Sequence, residues 1–305
     1  MINNQYYIIS YYCYTYLENF MIFYKDHFNF CNKIGLKGRI IISQEGINGT
    51  ISGYGESCKK YIKILLSDKR FNKTDFKIHL SKFIPFPRLT IKCKNENINS
   101  GIINNSINIK NIVTNKYVNY KYIDDLIDDD KVIFLDVRSH YEFILGHFKN
   151  AISLNINYFR EFAKKMHNIN QFKNNKIITY CTGGIRCEKA SLYMLKNGFK
   201  NVYQLEGGII KYGLNTPGKN FIGKCYVFDG RISININTVN PIVISNCSFC
   251  NKKSDRMINC ANAKCNKHII QCIQCSHLLN GCCSDNCNNC EDKRIYNGTG
   301  IYYRT

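Results

Sequence analysis

The sequence predicts an α/β protein in which a parallel β-sheet, covered on both faces by helices, lies between a smaller α+β unit and a cysteine-rich tail. Three observations predict it. Residues 116–220 alternate short apolar runs with amphipathic stretches, the pattern of strands joined by helical crossovers. The first 95 residues carry strand and helix signals in another order, and ten of the chain's 17 cysteines crowd into 247–290. A chain of 305 residues is long enough for such units to bury separate cores. The expected division is 1–95, a linker over 96–115, a central domain over 116–220 and a tail over 221–305.

In the first unit, Gln5 to Thr15 reads as a strand, and Leu17 to Ile34 carries apolar residues at helical spacing before Gly35, a helix stop. Lys37 to Ser43 and Asn48 to Ser52 read as two strands joined through Gln44-Glu45-Gly46-Ile47. A helix over Glu56 to Leu66 and a strand over Phe76 to Leu80 complete β-α-β-β-α-β, the ferredoxin-like (acylphosphatase-like) arrangement. Such sheets hold RNA, metabolites or partner proteins, so topology alone selects no ligand. Tyr6, Tyr7, Tyr11 and Tyr12 can stack on bases, but aromatic residues in a strand more often build the core. The Glu45-Gly46-Ile47-Asn48 turn offers Glu45 and Asn48 to a substrate; the alternative is an ordinary hairpin in which Gly46 supplies a positive φ.

Asn95 to Lys116 is polar, Asn-rich and weakly patterned, as expected of a linker with a short strand or two. Asp128-Asp129-Asp130 reads as a solvated turn before a strand over Val132 to Val137, with metal binding by the adjacent aspartates as the alternative. The most informative run is CTGGIRCEKAS, Cys181 to Ser191. A buried strand, Lys176 to Tyr180, precedes it, and a helix over Glu188 to Lys196, ended by Gly198, follows. Cys181 therefore sits at a strand's carboxyl end, where loop N–H groups and a helix N-terminus both stabilise an anion. Thr182, Gly183, Gly184 and Ile185 form the cradle, Arg186 closes it as a fixed cation, and the thiol should ionise easily. Cys187 has three readings: it assists Cys181, resolves it as a disulfide, or packs the first helical turn.

The Cys-x4-Arg spacing gives a smaller cradle than the Cys-x5-Arg loop of cysteine phosphatases, so a phosphoryl group should fit poorly. Sulfur carriers of the rhodanese type use the smaller loop. Phe134-Leu135-Asp136-Val137-Arg138, Glu142, Gly146-His147-Phe148 and Ala151 resemble the first half of a rhodanese domain, and Leu205-Glu206-Gly207-Gly208 resembles its closing strand and turn. Adding GRIIISQEGINGTISG (Gly38 to Gly53) and FIGKCYVFDGRIS (Phe221 to Ser233), the chain resembles the prokaryotic rhodanese-like tRNA uridine(34) hydroxylase family nearly end to end. The resemblance implies a central rhodanese-like domain and hydroxylation of the wobble uridine of tRNAs at carbon 5, with dioxygen as co-substrate and the anticodon region of tRNA as partner. In that reading Cys181 is the nucleophile or persulfide carrier, and thiolate addition at uridine carbon 6 is one route to an electron-rich carbon 5. A plain sulfurtransferase acting through a Cys181 persulfide and a non-catalytic RNA-binding module are the alternatives.

In the tail, Cys247-x2-Cys250 and Cys272-x2-Cys275 have the spacing of a closed, four-thiolate structural zinc site. Iron–sulfur ligation and free thiols are the alternatives. Cys260, Cys265, Cys282 or Cys283, and Cys287 are enough for a second ion, with His268 and His277 as spare ligands, and spacing selects no pairing. The balance of 42 Lys and Arg against 22 Asp and Glu leaves a net charge of +20, a field that attracts polyanions such as RNA. A composition crowded with Asn, Ile, Lys and Tyr produces such a charge without selection for RNA, and no compact basic run stands out. No secretory leader and no run of 18 apolar residues is evident, so a cytoplasmic protein with reduced cysteines is expected.

Overall fold

The computed structural model describes residues 5–102 and 116–302; most of the expected linker lies outside the described residues. Strand β1 (Tyr6–Tyr14), helix α1 (Phe20–Lys33), strands β2 (Lys37–Ser43) and β3 (Gly46–Tyr54), helix α2 (Gly55–Ser67) and strand β4 (Lys77–Ser81) follow the expected order. A strand that sequence reading missed, β5 (Leu89–Cys93), adds in parallel to the outer edge of β2, and the sheet runs β4-β1-β3-β2-β5. Helix α1 starts three residues later than expected. Leu17 is buried as its apolar character requires, but its N–H donates to the Gln44 carbonyl at 3.0 Å, which ties it to the β2–β3 turn rather than to a helix.

Strand alternation divides β1 between two environments. Ile9 and Tyr11 join Cys31, Ile51, Cys58 and Tyr61 in a core beneath the helices, so Tyr11 is a core residue. Ile8, Ser10 and Tyr12 point to the opposite face.

The central domain comprises β6 (Lys116–Val118), α3 (Ile123–Leu126), β7 (Val132–Asp136), α4 (His140–Leu145), β8 (Gly146–Phe148), β9 (Ile152–Ser153), α5 (Phe162–Lys165), β10 (Lys176–Tyr180), α6 (Ile185–Lys196), β11 (Asn201–Leu205) and α7 (Gly208–Asn215). Its sheet runs β6-β11-β10-β7-β9 with every adjacent pair parallel. Consecutive residues serve opposite layers. Leu135 and Ile177 pack with Ala190 and Met194 on one face, while Phe134 and Ile178 pack with Ile209 and Tyr212 on the other. Such two-sided burial is why these strands read as continuous apolar runs.

Strand β12 (Phe221–Tyr226) pairs antiparallel with β8 on one side and with β13 (Ser233–Asn235) on the other. The tail continues through a hairpin of β14 (Met257–Asn259) and β15 (His268–Ile270) and two short helices, α8 (Ile273–Leu278) and α9 (Asp285–Asn288). Among the described residues no helix is long and apolar enough to cross a membrane.

Candidate active site

Cys181 follows β10 directly, and helix α6 starts at Ile185, three residues earlier than Gly183 and Gly184 suggested. The intervening loop is only Thr182, Gly183 and Gly184. Gly184 makes the tight entry possible: its φ is +101°, and a Cβ there would meet the Tyr12 hydroxyl oxygen at 2.9 Å. Helix α7 braces the loop from behind, because the N–H groups of Ile209 and Ile210 donate to the Cys181 and Thr182 carbonyls at 3.0 Å each. Gly208, φ +66°, allows that approach, since its Cβ would lie 2.5 Å from the Cys181 carbonyl oxygen.

The Gly184 N–H donates to the Cys181 sulfur at 3.1 Å. Burial alone pushes the Cys181 thiol up, but the Cys187 thiol, the Arg186 charge and the N–H groups of Arg186 and Gly184 outweigh it and bring the pKa down to about 5. Cys187 titrates in the opposite direction, pushed well up by burial and by its hydrogen bond to Cys181. It also packs in the core beside Ala190. Of the roles read from sequence, packing is the one that this core position gives Cys187.

Arg186 is buried, and its fork is occupied. Its Nη1 and Nη2 donate to Glu142 Oε2 and Oε1 at 2.6 and 2.9 Å, and Nη2 also reaches Thr182 Oγ1 at 3.2 Å. The guanidinium therefore acts on Cys181 through its charge, not by bonding loop carbonyls. Glu142 in turn closes the N-terminus of α4 in a capping box with Ser139. Burial would raise its carboxyl, yet Arg186, Arg138 and the Ser139 N–H hold it below the usual range.

Cys181 forms part of the wall of a cavity of about 510 Å³, between the loop, the free face of the N-terminal sheet and the segment after β12. The sheet contributes mainly residues of alternate positions, Ile8, Ser10 and Tyr12, Arg39 and Ile41, and Lys77 and His79 among them. Ser10 pairs with Lys77 and Thr50, and Thr50 with Arg39, so one cross-strand row carries two cations to the cavity. Burial holds Lys77 below the usual ammonium range, although Asp75 lies 3.4 Å away. His79 is held down at about 4 by burial and by the nearby Arg231 charge, and its Nε2 has no hydrogen-bond partner among the described residues. Arg160, stacked on Tyr158 at 4.3 Å, and Arg231, bidentate on Asp229, complete the basic rim.

Residues 6–97 match the UPF0176 acylphosphatase like domain, residues 119–214 the rhodanese-like domain and residues 222–288 the rhodanase C-terminal family. A tRNA uridine(34) hydroxylase of Cytophaga hutchinsonii is 43% identical over 297 residues, 97% of this chain and 94% of the relative. Proteins of the same name from onion yellows phytoplasma (41% identical, 94% of each chain) and Enterococcus faecalis (40%, 93% of this chain and 90% of the relative) match at similar length. The chain belongs to the tRNA uridine(34) hydroxylase family.

Within that family frame, the structure brings Cys181, Thr182, Gly183, Ile185, Arg186 and Asn48 to one cavity. Gly184 serves it from behind through its N–H. Glu45 is the exception and corrects the expectation of a substrate-facing turn. Its Oε1 accepts from Lys189 Nζ at 2.8 Å and its Oε2 from the Asn97 N–H at 2.9 Å, so it joins the N-terminal unit to α6. Lys189 is almost wholly buried, and its charge requires that partner. Sequence reasoning missed Glu142 as the partner of Arg186, although Ser139-x2-Glu142 is a capping-box signature. Glu188, which accepts from Tyr12 at 2.7 Å across the same domain junction and from Gln204 at 2.8 Å within the central domain, was read only as a helix start. Lys77 and His79 carried no local signal.

Away from the cavity, the sulfurs of Cys247, Cys250, Cys272 and Cys275 lie within 4.8 Å of one another. Cys250 and Cys272 are 3.7 Å apart, near the edge of roughly 3.8 Å that a tetrahedron of about 2.3 Å zinc–sulfur bonds requires. The four residues fit a tetrahedral metal site.

Proposed function

We propose that this protein is an oxidoreductase that hydroxylates carbon 5 of the wobble uridine, position 34, of tRNAs in the cytoplasm, with dioxygen as co-substrate and Cys181 as the active-site thiol. The observation that carries the reading is a thiol that accepts the Gly184 N–H at a helix N-terminus, in the wall of a cavity within the roughly 300–1,000 Å³ range of small-molecule sites, faced by cations. An anticodon-loop base is already single-stranded and can be splayed into such a cavity, while Arg39, Arg160 and Lys77 meet the phosphates that follow it. Thiolate addition at carbon 6 builds electron density at carbon 5. One atom of dioxygen goes to carbon 5 as the hydroxyl oxygen, and a two-electron reductant of the thiol class, with two protons, carries the other atom to water. Loss of the carbon 5 proton and expulsion of the thiolate then restore the ring.

A structural zinc ion on Cys247, Cys250, Cys272 and Cys275 belongs to the same reading. Four thiolates leave no open position, so the ion contributes to folding rather than to chemistry.

The test is nucleoside mass spectrometry of tRNA from cells with the gene, without it, and with Cys181→Ala in its place. The expected outcome is 5-hydroxyuridine at position 34 only with the wild-type gene, while the alanine variant binds tRNA within a few-fold of wild type. A thiolated uridine in its place would establish the sulfurtransferase instead.

A further inference from the structure

A second group of cysteines in the tail repeats the construction of the first. The sulfurs of Cys260, Cys265, Cys283 and Cys287 also lie within 4.8 Å of one another, with Cys265 and Cys287 each 3.6 Å from Cys283. Cys282, which spacing offered equally with Cys283, stands outside the group, as does Cys290. We propose that Cys260, Cys265, Cys283 and Cys287 bind a second structural zinc ion, interleaved with the first so that the two ions cross-brace the C-terminal module.

Four details of construction recur. In each group the first cysteine is buried, the second exposed and the last two half-buried. Each buried sulfur accepts a backbone N–H from the third cysteine: Cys272 N–H to Cys247 and Cys283 N–H to Cys260, both at 3.4 Å. Each fourth cysteine lies in a short helix, Cys275 in α8 and Cys287 in α9. Each of those helices is capped by a side chain accepting from the fourth cysteine's N–H, Cys272 in one case and Ser284 in the other. N–H bonds to sulfur offset the charge that four thiolates place around one ion.

The ligand pairs alternate along the chain: Cys247/Cys250 to the first site, Cys260/Cys265 to the second, Cys272/Cys275 to the first, Cys283/Cys287 to the second. Neither site closes within a continuous segment. Cys260 directly follows β14 and Cys272 comes two residues after β15, so the hairpin is tied to both ions. Apolar burial cannot replace them, because the core around the second group is little more than Cys260, Ala261, Cys282 and the half-buried Tyr302. Both spare histidines face elsewhere, His268 stacked on Tyr141 at 4.6 Å and His277 against Tyr296. An all-thiolate set in this geometry selects zinc over harder cations.

The hairpin also reaches the active site. Met257 and Ile270 pack with Leu145 and Tyr226, and His268 lies flat on Tyr141, in the helix that carries Glu142. Bracing the hairpin holds that helix in place.

Elemental analysis of the full chain, purified without a metal-affinity tag and dialysed against a chelator, tests the proposal. Wild type should retain two zinc ions per chain. Cys265→Ser, at an exposed ligand, should retain one, Cys250→Ser should retain the other one, and Cys282→Ala should keep both. Cobalt-substituted wild type should show the ligand-field bands of two tetrahedral thiolate sites, which keeps the test independent of how the variants fold. One zinc in wild type, two in Cys265→Ser, a loss in Cys282→Ala, or iron with acid-labile sulfide would overturn the second site. Failure of the first site alone would appear as an unchanged metal content in Cys250→Ser.

Discussion

Cys181 owes its charge to its neighbours, and Arg186 is the neighbour that substitution tests most cleanly. Lysine at 186 keeps the charge but cannot hold both Glu142 oxygens and Thr182 at once. Wild-type alkylation by iodoacetamide should reach half its plateau near pH 5, because the thiolate is present above its depressed pKa. In Arg186→Gln, which removes that charge, the midpoint should move up toward the ordinary value of 9, and in Arg186→Lys, which keeps it, the midpoint should move less, so reactivity at pH about 6 falls most in the glutamine variant while reactivity at high pH persists in both. An unchanged midpoint in Arg186→Gln would show that Arg186 does not tune the thiol. Glu142→Gln should unfold more easily by about 3–5 kcal/mol, read from denaturant midpoints, because it leaves a buried guanidinium without its countercharge. Cys181 and Arg186 were legible in the sequence because six consecutive residues hold them. Glu142, 39 residues before Cys181, left only a capping-box trace, and Lys77 and His79 reach the cavity through strand pairing that no local motif announces.

At the scale of elements, two glycines near the thiol behave differently for stated reasons. A methyl group at Gly208 meets the Cys181 carbonyl oxygen and the Gly184 nitrogen, in a left-handed conformation that already costs about 1–2 kcal/mol for any other residue. Gly208→Ala should lower thermal stability and slow Cys181 alkylation together. At Gly183 nothing stands within 4 Å of the added carbon and φ is unremarkable, so Gly183→Ala should keep stability within about 0.5 kcal/mol while raising KM for tRNA, since Gly183 lines the cavity. Equal loss of stability in both variants would contradict this account of the loop. Periodicity made the elements around it legible: β7, β10 and β11 are apolar runs, and the order β-α-β-β-α-β followed from alternation and helical spacing. Strand β5 was missed because five residues beside a Pro-rich turn carry too short a pattern, and its strand character comes from pairing with β2. The start of α6 was placed late because a glycine pair reads as loop, whereas here Gly184 is the turn into the helix itself.

For the whole molecule, the +20 charge becomes informative only once folding collects part of it. Arg39, Lys77, Arg160 and Arg231 come from segments far apart in sequence, which explains why no basic run was visible and yet the cavity is rimmed with cations. Arg39 is exposed and faces the cavity from β2. Arg39→Gln should reduce the slope of log affinity against log salt by about 0.7, one phosphate contact to a single strand, and an unchanged slope would remove Arg39 from the tRNA path. Glu45 shows the converse limit: a polar turn residue advertises exposure, but only the assembled domains reveal that Lys189 has taken it. The most direct test of the central claim is mass spectrometry of position-34 nucleosides from cells given ¹⁸O-labelled dioxygen. Wild type should yield labelled 5-hydroxyuridine and Cys181→Ala none, whereas labelled product in the alanine variant would contradict a thiol-dependent hydroxylation.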